Sequence, residues 1–343
     1  MRNKTALLFG LVLAMPCGSA LAQDLLVQAR SIVLAPDTNV TTGELLVRDG
    51  KVAFAGQEIP AEARGKARTL AFGDAVVVPG FVLAHSTLGQ EQDLVERAVA
   101  MTPELRAAEA FDPFHEDLNL LRQQAVTSCG LSPSSRNVAA GLGALIKPGK
   151  DKGRVADAET FLKLSLTAAA RDPERPPTSL MGAIDLLREG FSTAKLGVKS
   201  GPDIAVLGQA LRKERRVLFA ADTFAEITAA LALAQQFGLE PVLVGGAEAA
   251  DCIDRIVAAR AAVALPPLAP ELRGDRLLLP SRLEQQSVPF CFLGAPNQLR
   301  TSAALAVRYG TSRKTALAAL TRTPAQLLGQ QEYVGSLRRA SLG

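Results

Sequence analysis

From residue 25 to 78 short apolar runs alternate with turn residues. The runs lie at residues 31–34, 43–47 and 52–56, and the last two are joined through Asp49-Gly50. An Asp-Gly pair between two such runs is a hairpin signal, because both residues tolerate the positive φ of a tight turn. A small β unit is therefore expected first. Beyond it the rhythm changes to a short buried strand followed by a helix. Continuous apolar runs at residues 76–84, 125–131, 143–147, 217–221, 241–245, 261–265 and 289–293 read as strands. Amphipathic runs between several of them, clearest at residues 223–237 and 247–260, read as helices. Repetition of this unit predicts a parallel sheet covered by helices.

Seven strands are visible. The interval 150–216 reads as helical without a clean central strand, so either an eighth strand is hidden there or the barrel is irregular. Arg171-Asp172-Pro173-Glu174-Arg175-Pro176-Pro177 reads as a loop before a helix capped by Thr178 or Ser179. Short helices are expected at residues 312–320 and 324–328. The fold class expected is α/β: a TIM-like (β/α)8 barrel, irregular in part, with a small β-sandwich domain formed mainly by the N-terminal segment. The expected division is a signal peptide over residues 1–22, a β domain over 23–77 completed by about 332–343, and the barrel over 78–331.

The leader changes the picture of where the protein works. Arg2 and Lys4 precede an apolar run over residues 6–15, followed by Pro16, Gly18 and Ala20-Leu21-Ala22. This pattern predicts a cleavable signal peptide cut near Ala22 and a periplasmic or secreted protein. The run is too short for a permanent anchor, which needs about 20 apolar residues. No integral membrane segment is expected after cleavage.

Composition adds mainly exclusions. With 48% hydrophobic and 21% charged residues, the 343-residue chain has the make-up of an ordinary globular protein. Its net charge of +4 comes without a basic stripe, and Arg212-Lys213-Glu214-Arg215-Arg216 reads as a solvated helix end, so nucleic acid is not an expected partner. Beyond the leader, Cys129, Cys252 and Cys291 lack CxxC spacing; buried free thiols are favoured over one disulfide or a zinc cluster.

Candidate chemistry begins at Val78-Pro79-Gly80-Phe81-Val82-Leu83-Ala84-His85-Ser86-Thr87-Leu88-Gly89. This segment resembles the first barrel strand of the amidohydrolase superfamily, in which a Pro-Gly turn leads into a His-x-His pair. Thr323-Pro324-Ala325, Leu327-Leu328-Gly329 and Val334-Gly335-Ser336-Leu337 resemble that family's return from the last barrel helix to its β domain. Thr102-Pro103-Glu104-Leu105-Arg106 and Phe111-Asp112-Pro113 are similar to imidazolonepropionase-like members. The resemblance implies one or two divalent metals at the barrel mouth, activating water for hydrolysis of carbon–nitrogen bonds. It implies as ligands the His-x-His pair, a carboxylated Lys or a Glu near strand four, one His each from strands five and six, and a final Asp.

Those positions are largely vacated. His85 matches, but Thr87 stands at the second histidine of the pair. Leu218-Phe219-Ala220-Ala221-Asp222 has no histidine, a glycine replaces the next in Val242-Leu243-Val244-Gly245-Gly246, and Phe292-Leu293-Gly294-Ala295-Pro296 has no aspartate. Two histidines in the whole chain, His85 and His115, cannot supply a site that needs four. Candidate metal residues are His85, Asp222 and Glu248; the two carboxylates are equally explained as helix-start residues favoured by the helix dipole, and His115 as a surface residue at a helix start. Lys147 ends a strand but precedes an exposed Pro148-Gly149 turn. Gly141-x-Gly143 lacks the rest of a dinucleotide fingerprint, and no GxSxG elbow is present.

The expectation is an exported, catalytically degenerate amidohydrolase-like protein acting as a scaffold, without a cofactor. A small-molecule ligand and a hetero-oligomer with an active paralogue are the partners it suggests. The alternative is an active hydrolase of cyclic amides or related substrates with one zinc or manganese ion in an altered site. A third reading is a shortened chain whose β domain is incomplete after Ser336-Leu337.

Overall fold

The computed structural model describes residues 24–338 and 341, apart from 89 and 91, and the backbone but not the side chains of 40–42. The expected signal peptide lies outside the described residues.

A first sheet is built by β1 (Leu25–Ala35), β2 (Thr38–Arg48), β3 (Lys51–Gly56) and β4 (Arg68–Ala71), in the order β3-β2-β1-β4, with the short β5 (Val76–Val77) also paired to β1. The β2–β3 pair is antiparallel, and Asp49 and Gly50 turn it with φ of 50° and 70°, as the Asp-Gly signal requires. A single turn, α1 (Ala61–Arg64), precedes β4. Ile32, Leu45, Val52 and Leu337 form the core on one face, and Leu26, Leu46 and Ile59 on the other. The C-terminal segment reaches this sheet: Leu337 N donates to Leu34 O at 2.8 Å and Val52 N to Ser341 O at 2.9 Å.

The apolar run at 76–84 serves both sheets. Pro79-Gly80 breaks it, so β5 ends at Val77 and β6 (Phe81–Ser86) opens the barrel. Gly80 is required there, since a Cβ would stand 2.2 Å from the Thr127 hydroxyl oxygen.

The barrel sheet continues with β7 (Val126–Leu131), β8 (Ala139–Lys147), β9 (Arg154–Ser165), β10 (Arg216–Ala221), β11 (Pro241–Gly245), β12 (Ala262–Leu265) and β13 (Phe290–Phe292). The eighth strand is β9, in the interval that reads as helical. Its alternating half Arg154–Glu159 and its buried lysine disguise it. A wholly parallel sheet is also corrected: β8 runs antiparallel to both neighbours, while the other five ladders between barrel strands are parallel. The links into and out of β8 are hairpins, one tightened at Gly149, where a Cβ would meet Lys152 O at 2.0 Å. The barrel is thus TIM-like but lacks two of its helices. Its ends, β13 and β6, lie side by side without a ladder between them, so the barrel is nearly closed.

Outside the strands pack α2 (Asp117–Gln123), α3 (Leu180–Leu196), α4 (Pro202–Leu211), α5 (Phe224–Phe237), α6 (Ile253–Ala258), α7 (Gly274–Gln285), α8 (Gln298–Arg308) and α9 (Arg313–Leu320). Ser179 caps α3, and Thr223 with Glu226 forms a capping box on α5. The helix expected over 247–260 is a 3-10 turn followed by the short α6. Inside the barrel Val82, Leu145, Phe161, Leu218, Val242 and Val244 meet Ala325, Leu327 and Leu328 from α10 (Arg322–Leu327) and its exit, which seal the N-terminal end. Phe161 fills the lumen because Gly143 opposite has no side chain; a Cβ there would be 2.0 Å from the ring. The Gly141-x-Gly143 pattern is therefore a packing device. Cys129, Cys252 and Cys291 are buried and free. Among the described residues no helix is long and apolar enough to cross a membrane.

Candidate functional site at the barrel mouth

The C-terminal end of the barrel brings together His85 from the end of β6, Lys163 from β9 and Asp222 just after β10. Lys163 has no exposed surface. It stands level with Leu218 of β10 and Gly141 of β8, and its Nζ is hydrogen-bonded to His85 Nε2 at 2.9 Å. Burial pushes the Lys163 amine down from 10.5 to about 7, against the opposing charge of Asp222, which acts at a distance and not through an ion pair. Burial, and then the neighbouring lysine, hold the His85 imidazole well below its usual range. An imidazole kept neutral is a proper acceptor for the amine.

Asp222 is placed by the start of α5. Glu226, 3% exposed, accepts from Asp222 N at 3.0 Å, from Thr223 N at 3.2 Å and from Arg171 Nη2 at 2.7 Å. A buried carboxylate so expensive to desolvate is tolerable only with such partners, and together they fix the strand-to-helix junction. Burial raises the Asp222 carboxyl, offset by the backbone amide of Ala247. Gly245, at φ 102°, leaves room for it: a Cβ there would lie 2.3 Å from Asp222 Oδ1.

The other candidates fall elsewhere. Glu248 is exposed and its Oε2 accepts from Phe224 N at 2.6 Å, at the first turn of α5. His115 sits at the start of α2, where its Nδ1 accepts from Asp117 N at 3.2 Å. Lys147 pairs in register with Arg154, at the opposite end of the barrel from His85, because β8 runs backwards. A cleft of about 420 Å³ opens at the seam between the ends of β6 and β13, walled by His85, Ser86, Thr87, Leu120, Leu121 and Leu293 among others.

No protein-family model matches the chain, and no curated protein matches it in sequence. Solved structures do. An amidohydrolase from Thermotoga maritima superposes with a TM-score of 0.82 at 22% identity, over 93% of this chain and 92% of that one. The chain has the amidohydrolase fold. Molinate hydrolase follows at a TM-score of 0.56 and 11% identity, over 94% and 88% of the two chains, and a prolidase complexed with N-methylphosphonate-L-proline at 0.54 and 12%, over 94% and 91%.

Within the amidohydrolase fold β9 is the fourth barrel strand counted from β6, so Lys163, and not Lys147, stands where the resemblance implies a lysine. Its signal in the sequence is faint: Phe161-Leu162-Lys163-Leu164-Ser165 lies in the interval that reads as helical, and a lysine flanked by two leucines is the available sign of a buried strand. The residues do not fit the metal that the fold implies. His85 Nε2 is engaged by the Lys163 amine, and among the described residues no three His, Cys, Asp or Glu side chains gather as a metal would need. An aspartate could not replace Gly294 without change, since a Cβ there would lie 2.6 Å from the Gln298 amide oxygen.

Proposed function

We propose that this chain is an exported protein of the amidohydrolase superfamily that has given up metal-dependent hydrolysis and uses its barrel mouth to bind a small-molecule ligand. The observation that carries the proposal is the Lys163 Nζ to His85 Nε2 hydrogen bond of 2.9 Å, which places an amine where an imidazole would otherwise face a metal. Export rests on the leader over residues 1–22. An active paralogue is the proposed protein partner, recoverable by co-purification from the native host. The test is elemental analysis of the purified full-length protein. Substoichiometric zinc and manganese, with no hydrolysis of cyclic amides, are expected.

One observation favours a second reading. Asp222 acts electrostatically on Lys163 at the same mouth, so His85, Lys163 and Asp222 form a cluster of hydrolase-like composition. If the chain is an active hydrolase of carbon–nitrogen bonds, one equivalent of zinc or manganese should be present and should disappear, with activity, in His85→Ala.

A further inference from the structure

We infer that Lys163 is a covalent capture residue, forming an imine with a small aldehyde or ketone that enters through the cleft beside His85. The inference deepens the metal-free reading of the mouth and rests on it. Four features carry it. Lys163 is fully buried on a rigid strand, whereas a lysine with no task normally keeps its amine in water. Its Nζ hydrogen-bonds an imidazole and no carboxylate, so the pair is held by a group able to take a proton and not by one that fixes the ammonium charge. His85 forms part of the cleft wall, so the amine is one side chain away from an opening. The cleft, of about 420 Å³, is in the size range of small-ligand sites.

The lining selects the ligand class. Leu120, Leu121, Leu293 and Pro296 give apolar lining, while His85 and Thr87 supply polar atoms. Asp117 on the rim and Asp222 at the mouth disfavour an anion. A neutral carbonyl compound with a short alkyl substituent fits both.

The chemistry balances without a co-reactant. In its neutral form Nζ attacks the carbonyl carbon with its lone pair, and a proton of the cationic nitrogen so formed passes to His85 Nε2. The carbon–nitrogen bond forms as the carbonyl π pair moves to oxygen, which is protonated in turn through His85. The resulting carbinolamine loses its hydroxyl and a nitrogen-bound proton as water, leaving the carbon–nitrogen double bond. No group is oxidised or reduced, and addition of water reverses the capture.

The test uses the full-length protein, butanal and cyanoborohydride, which reduces an imine to a stable butylamine, followed by peptide mapping and elemental analysis of the same preparation. One butyl group on Lys163, formed before the exposed lysines react, is expected. It should be lost in Lys163→Arg and slowed in His85→Gln, with both variants retaining the wild-type circular dichroism spectrum. Should Lys163 react only after unfolding while exposed lysines react in the native protein, the inference is overturned and the metal-free reading stands. Stoichiometric metal, or Lys163 found already carboxylated, overturns both.

Discussion

Lys163 is a fully buried amine that carries a large desolvation penalty. The fall of its amine from 10.5 to about 7 amounts to roughly 5 kcal/mol of disfavoured protonation. The sign follows from proton uptake. As pH falls through about 10.5 the unfolded chain protonates this amine while the folded chain does not, so stability declines with falling pH down to about 7 and levels off below it. Lys163→Met should therefore be more stable than wild type at neutral pH, by about 2–4 kcal/mol once the loss of the hydrogen bond to His85 is set against relief of the buried charge. Urea unfolding at about pH 7 and about pH 10 measures this, with the gap between the two proteins narrowing at the higher pH. A methionine variant that is less stable at pH 7 would show that the Lys163–His85 bond outweighs desolvation.

At the scale of elements, the mouth is held by connections and not by strands alone. Arg175, in the proline-rich loop before α3, donates through Nη1 to Val99 O at 2.8 Å, Arg97 O at 3.1 Å and Asn137 Oδ1 at 3.0 Å, and through Nη2 to Arg136 O at 3.1 Å. It thus ties the segment before Met101 to the β7–β8 hairpin. That segment in turn bonds the start of β8, with Ala139 N donating to Ala100 O at 3.1 Å and Thr102 N to Ala139 O at 2.9 Å. Arg175→Ala should cost about 1–3 kcal/mol, as carbonyls that one guanidinium gathered lose their donor. Its local signature is faster hydrogen exchange over residues 96–102 with β10 to β12 unchanged; uniform acceleration across the barrel would contradict this local role. The backward course of β8 has a comparable origin. A strand entered and left by hairpins needs no crossover helix, and the short links at 132–138 and 148–153 permit nothing else.

At the scale of the molecule, the barrel and the first sheet share the C-terminal segment. Val334 belongs to the lumen core, Leu337 to the core of the first sheet, and Ser341 accepts from the backbone of β3. Deleting residues 334–343 removes an apolar side chain from each core at once, at about 2–5 kcal/mol for each large aliphatic lost. A lower melting temperature and reduced soluble yield are expected, and an unchanged melting temperature would refute the shared anchoring. Phe72 and Val76 of the first sheet remain half exposed.

Much of this could be read directly from the residue order. Asp49-Gly50 dictates its hairpin because few residues accept positive φ twice in succession, and Thr223 with Glu226 dictates the start of α5 because the cap is local. The count of two histidines limits metal chemistry whatever the fold. Tertiary structure alone decided the rest. The direction of β8 depends on which neighbours its edges meet, so Lys147, at a strand end in sequence, falls at the sealed end of the barrel. Lys163 became a site residue only when β9 joined the sheet and aimed its amine at His85, a residue 78 positions away. Local sequence encodes turns and caps through short-range sterics and hydrogen bonds; which buried charges face one another is set by long-range packing of strands.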